Sequence, residues 1–137
     1  MKNSKRILTI VFGVIMIVAG AMHFISPAVY LQFFPNQWPQ KAIVYGSGII
    51  EIVVGICALI PRYSRFGTLG IFILMLVFLP LHIIDVFKEN PAVGSTTIAY
   101  IRLPIQFVLI AWAWFIFKRE KSNKQFAIDN GQISNLQ

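Results

Sequence analysis

An apolar run from Tyr45 to Ile60, YGSGIIEIVVGICALI, carries a single carboxylate, Glu51, near its middle. An acid at mid-membrane depth costs roughly 2.5–3.5 kcal/mol on insertion scales, so Glu51 must face protein or water and find a partner there. The second span, from Lys41 to Ile60, places Gly48, Glu51 and Gly55 on one helical face, the side where a neighbouring helix can come near. What every other segment offers Glu51 is therefore the question that organises the chain.

Three further runs match this one in length: Ile7 to Ile25, Phe66 to Phe87 and Ile98 to Phe117. A helix needs roughly 20 apolar residues at about 1.5 Å each to cross the hydrocarbon, so the expected fold is an all-α integral membrane four-helix bundle with no separate soluble domain. Composition agrees: 57% of the 137 residues are hydrophobic and 12% charged, the mean hydropathy is +0.72, and an average soluble domain is about 25% charged. Too little polar surface remains to cover a soluble globule.

The first run follows a short basic lead, MKNSKR, and puts Gly13, Met16, Gly20 and His23 on one face. Ala19-Gly20-Ala21 resembles a signal-peptide cleavage site, but the run continues as MHFI without giving way to polar sequence, and an uncleaved span is expected. Ser26 before Pro27 reads as an N-cap with proline at the first helical position, opening a small interfacial helix from Pro27 to Phe34. A Pro35 to Pro39 turn follows, with Trp38 at headgroup level. Pro61 to Arg65 is a tight basic turn, and Gly67 and Gly70 open the third span. That span carries Pro80, where a kink is expected, then His82 and Asp85. A polar loop from Lys88 to Thr97 leads to the fourth span, in which Arg102 and Gln106 lie one turn apart with Pro104 between them. Residues 118–137 read as a polar, flexible cytoplasmic tail.

The net charge of +7 is held in segments between and beyond the apolar runs, which is the positive-inside pattern and not a nucleic-acid surface. It places both termini in the cytoplasm. His23, His82, Asp85, Arg102 and Gln106 then fall towards the outer side, with Glu51 about 15 Å below the outer start of its helix. Arg102, permanently charged and able to hold a carboxylate bidentately, is the expected counter-ion of Glu51, with Asp85 as its competitor. Glu51 and Asp85 against Arg102 leave one negative charge, so the cluster can take up one proton, and a histidine can exchange it. These six residues are the candidate site, an outer-side pocket for a small molecule with a polar head and an apolar body. The lone Cys57 excludes an intramolecular disulfide, a CxxC redox pair and a thiolate metal cluster. His23 and His82 could ligate one haem from two helices, but isolated histidines are more often hydrogen-bonded structural residues, so no metal is expected.

Four stretches carry a family resemblance: AGAMHFISPAVYLQFFPNQWP at Ala19 to Pro39, YGSGIIEIVVG at Tyr45 to Gly55, FLPLHIID at Phe78 to Asp85 and RLPIQFVLIAWAW at Arg102 to Trp114. In order and spacing, over roughly Val11 to Phe117, the chain resembles the DoxX-like family of small four-helix bacterial membrane proteins. The resemblance implies a multi-pass protein of the bacterial cytoplasmic (inner) membrane, with His23, Glu51, Arg102 and Gln106 as the matching polar residues. It also implies a redox-associated role, since some members are described as subunits of oxidoreductases passing electrons to quinone. A quinone or a lipid is then the expected ligand, a redox protein the expected partner, and any catalysis non-autonomous. Two other readings stand beside it: a scaffold whose buried polar network fixes helix register, and a small proton-coupled carrier, which one chain of four spans could form only as an oligomer. A homodimer through the Gly13/Gly20 or Gly67/Gly70 face is compatible with all three.

Overall fold

The computed structural model describes residues 2–92 and 94–134. Met1, Val93 and the last three residues of the expected tail, Asn135, Leu136 and Gln137, lie outside the described residues. The chain forms α1 (Lys2–Ile25), α2 (Pro27–Leu31), α3 (Gln40–Leu59), α4 (Ser64–Val86) and α5 (Thr96–Ser134), and no strand occurs among the described residues. Four helices are long and apolar enough to cross a membrane: Ser4–Ile25, Gln40–Leu59, Ser64–Val86 and Thr96–Lys118.

Local chemistry sets the helix ends. Ser26 caps α2 by position, with Pro27 in its first turn, but its side chain makes no capping hydrogen bond. The short helix stops at Leu31, three residues before the expected Phe34. Ile60 turns extended (φ −85°, ψ 118°) ahead of Pro61, whose ring disfavours the helical conformation in the preceding residue, and α3 ends there. Between α4 and α5 the turn passes through Gly94 at φ +93°, a conformation open to glycine at no steric cost. The Ser95 hydroxyl then accepts the Ile98 N–H at 3.2 Å, satisfying a first-turn donor of α5.

The tail expected after Phe117 differs in secondary structure: α5 continues as helix to Ser134, 39 residues in all. Phe117 is thus a boundary of hydropathy, where apolar sequence gives way to Lys118 and its polar successors, and not a boundary of backbone conformation. Both interior prolines, Pro80 and Pro104, are carried within continuous helix.

In contact order the spans run α1, α3, α4, α5, and the last closes only loosely on the first. The α1–α3 seam is the tightest. A Cβ placed on Gly20 would lie 2.6 Å from the Gly48 carbonyl oxygen, and one on Gly55 would lie 2.7 Å from that of Gly13, so the two backbones meet without side chains between them. Gly67 of α4 closes in the same way on the backbone of Ala58, and Gly70 on the side chain of Val54. The glycine faces considered for dimerisation are therefore used inside the chain, because these small residues are what lets its own helices approach. Arg6 ties the start of α1 to the end of α3, donating to the Ala58 carbonyl at 3.2 Å and to that of Leu59. All four spans meet in one core of Phe12, Met16, Ala58, Ile71, Met75, Ala113 and Ile116, in the half of the bundle nearer the termini. Towards α2 the helices part.

Substituting Gly55→Leu is expected to force α1 from α3 and to destabilise the fold by about 1–3 kcal/mol or more. Gly46→Leu, at a position with open space around it, should leave stability nearly unchanged. Thermal unfolding of the detergent-solubilised protein, followed by circular dichroism, measures both; equal losses would show that the α1–α3 approach does not limit stability.

Candidate functional site

Where the helices part they leave a cavity of about 210 Å³, partly open to the outside. Its wall is polar near α2, where His23, Tyr30, Glu51, His82 and Arg102 line it, and apolar towards the core, where Phe12, Ile15, Met75 and Leu109 do. Five of the six sequence candidates, His23, Glu51, His82, Arg102 and Gln106, thus line one space although they come from all four spans.

Asp85 does not line it. Its Oδ1 accepts the Ala92 N–H at 2.7 Å and lies 3.7 Å from the Lys88 ammonium. This carboxylate sits in the last turn of α4, within reach of the α4–α5 loop, and its burial is compensated by holding that loop. Gln106 has a partly structural task as well, donating to the Met75 carbonyl at 2.7 Å and so linking α5 to α4. That carbonyl is next to the one on Leu76 that Pro80 cannot reach with a hydrogen bond.

Glu51, 3% exposed, is paired differently from the sequence expectation. Its Oε1 lies 3.7 Å from His23 Nε2, within ion-pair range but too long for a hydrogen bond. The ring is oriented from its other side: Nδ1 lies 3.0 Å from the Ala19 carbonyl oxygen, which can only accept, so Nδ1 carries a proton. Nε2 is then either a bare lone pair turned towards a carboxyl or the second N–H of an imidazolium turned towards a carboxylate. Either way the His23–Glu51 pair has a place for one proton between its members. Tyr30 stacks on the other face of the imidazole, ring centroids 3.7 Å apart.

Arg102 makes neither an ion pair nor a hydrogen bond among the described residues; its guanidinium lies 5.2 Å over the Phe33 ring. It interacts with Glu51 electrostatically across the cavity without reaching it. The expected bidentate pair is absent because the α3 and α5 backbones stay apart, no Cα of one coming within 8 Å of the other among the described residues, and residues of both line the cavity. Among the described residues, three buried side-chain atoms have no hydrogen-bond partner: Glu51 Oε2, His82 Nδ1 and Trp112 Nε1. The first two belong to cavity-lining residues. Buried polar atoms are nearly always paired, so two orphans on residues that line one cavity, with an uncommitted guanidinium in the same lining, describe a site built for a polar group.

The α2 segment forms the roof. Tyr30, Phe33 and Phe34 cover the polar end, and the loop is pinned by Lys88 donating to the Gln32 carbonyl at 3.1 Å and by Gln40 donating to that of Phe34 at 2.7 Å. Sequence reading placed an aromatic helix here but not its role over the pocket, since nothing in AVYLQFF specifies that Tyr30 returns onto His23. Burial and the neighbouring Glu51 carboxylate push the Tyr30 phenol above its ordinary pKa, and Arg102 opposes them. No group of three His, Cys, Asp or Glu side chains that could hold a metal occurs among the described residues.

Subtracting the alkaline absorbance titration of Tyr30→Phe from that of the wild type isolates Tyr30. Its midpoint is expected above the ordinary phenol value, lower in Glu51→Gln, where the repelling carboxylate is gone, and higher in Arg102→Leu. A midpoint that ignores Glu51→Gln would mean that the two groups are not in electrical contact.

Residues 12–117 match the model of a family described as a domain of unknown function (DUF8561). Among curated proteins and among solved structures, none matches the chain.

Proposed function

The chain belongs to the DUF8561 family, and we propose that it is a multi-pass protein of the bacterial inner membrane whose outward-facing cavity binds an amphipathic small molecule, quinone-like in its chemistry, as a redox-associated subunit. One observation carries the binding reading. Among the described residues, Glu51 Oε2 and His82 Nδ1 are buried without partners and Arg102 has no acceptor, and all three residues line a cavity that is apolar towards the core. A scaffold whose polar network only sets helix register gains from satisfying every buried polar atom, whereas Glu51 Oε2 and His82 Nδ1, on two residues that line the cavity, are left over.

The redox association follows the resemblance to DoxX-like proteins. Electrons come from a partner protein in this reading, because a single cysteine supplies no dithiol and no glycine-rich nucleotide motif is present in the sequence. A quinone head offers carbonyl oxygens to Arg102 and, once reduced, hydroxyl donors to Glu51. The His23–Glu51 pair, with its one proton place, then sits beside the oxygen that gains or loses a proton.

Purification in mild detergent, with an optical spectrum and an intact mass spectrum recorded for wild type beside Glu51→Gln, tests the reading. Wild type is expected to retain an amphipathic molecule that the variant loses; identical, ligand-free spectra from both would refute it. Orientation is checked separately with a reporter fused after Gln137, which should be active only if it functions in the cytoplasm.

A further inference from the structure

We infer that the cavity is loaded sideways from the bilayer, through the seam between α1 and α5, by a single-tailed membrane-dissolved amphipath whose head carries a hydrogen-bond donor beside an acceptor. The inference rests on the ligand-binding reading above and adds the route and the chemistry of the head.

The route follows from which walls are closed. The seams α1–α3, α3–α4 and α4–α5 are the closely packed ones, whereas α1 and α5 touch sparsely. The roof is pinned at Gln32 and Phe34, and the Phe33 ring beneath it carries the Arg102 guanidinium on its face. The floor is the shared core, with Phe12 stacked on Trp112 at 4.8 Å. One pair of lining residues is different: Ile15 of α1 is 42% exposed and Ile105 of α5 is 51% exposed, although both line the cavity. A residue that reaches both the cavity and the outside of the bundle marks an opening. In four helices that span a membrane, the outside at this level is hydrocarbon. Ile15 lies about 12 Å along α1 from His23, so the opening meets the apolar end of the cavity and the polar head travels past it to the far end.

The head follows from the uncommitted atoms. Glu51 Oε2 as a carboxylate needs a donor, and Arg102 has donors without an acceptor. Because both residues line the cavity and do not pair with each other, one head must serve both: a hydroxyl, or a protonated carboxylic acid, does so, and a quaternary ammonium or a bare hydrocarbon does not. A tail in the seam lies against Ile15 and Ile105, with its end towards Phe12 and Trp112.

The test uses the full chain in lipid nanodiscs with Trp38→Phe and Trp114→Phe, which leaves Trp112 as its one tryptophan. The probes are a fatty alcohol and a fatty acid with bromine at the tail end, beside a bromoalkane of equal length. Saturable quenching of Trp112 by the two headed probes and not by the bromoalkane, weakened in Glu51→Gln, is the expected equilibrium result. In stopped-flow mixing, Ile15→Phe and Ile105→Phe are expected to slow capture and release several-fold, while Ile15→Ala and Ile105→Ala speed both. These opposite signs, at lipid-facing positions that stay apolar, separate a gate from a damaged fold. Saturable, Glu51-dependent quenching whose rates ignore all four substitutions overturns the lateral route and leaves the binding site standing. Quenching that is absent, or equal for the bromoalkane, overturns the site itself and the route with it.

Discussion

The close approach of α1 and α3 is the contact on which the rest depends. Glycine meets carbonyl at two levels of this seam, Gly20 against Gly48 and Gly55 against Gly13, and Glu51 lies between those levels on α3. A side chain projecting from so tight a seam has little freedom, and Glu51 is held beside His23 because Gly48 and Gly20 allow the two helices to sit that close. The His23 ring is set in turn by its own helix through Ala19. Thus the carboxyl that is expensive in a membrane is placed by backbone packing, and its pairing with His23 follows from that placement.

The bundle divides into two halves with different physics. Near the termini, apolar residues from all four spans fill the centre, and Arg6 supplies donors to the last carbonyls of α3, which a helix end leaves without partners. Towards α2 the same helices part, and the centre is lined by polar side chains. Dense packing in one half is what lets the other remain open: a cavity bordered by uncommitted polar atoms loses stability, and the closed half, with the pinned loops, offsets it.

The loops at the α2 end are structural members of the site. Asp85, Lys88 and Gln40 each give a polar group to a backbone atom of a loop, so the roof over the cavity is held by hydrogen bonds that leave Glu51, His82 and Arg102 uncommitted. Arg102 lies on the Phe33 ring, a cation–π contact that holds a charge in an apolar setting without consuming its hydrogen-bonding capacity. That capacity is what a ligand can use.

Four spans, their approximate ends and the short helix after Pro27 were legible in the chain itself, because hydropathy over about 20 residues and proline stereochemistry are local properties. So was the need of Glu51 for an interior position, since burial cost belongs to the residue type. Its partner was not legible: Arg102 has the better chemistry for a carboxylate, but the α3 and α5 backbones do not approach each other, and His23 gained the contact through the glycine seam. Asp85 looked like a pocket residue by its place on α4 and proved to hold a loop, because its nearest donor, the Ala92 N–H, comes from a turn whose path depends on Gly94. The glycines of α1 and α4 signalled close helix approach correctly, yet small residues do not encode which helix approaches, and here it is α3 of the same chain. Sequence alone determined which segments are long and apolar enough to cross a membrane and which of their side chains need shelter; the tertiary structure decided which of them meet, because pairing across helices depends on distances that only packing sets.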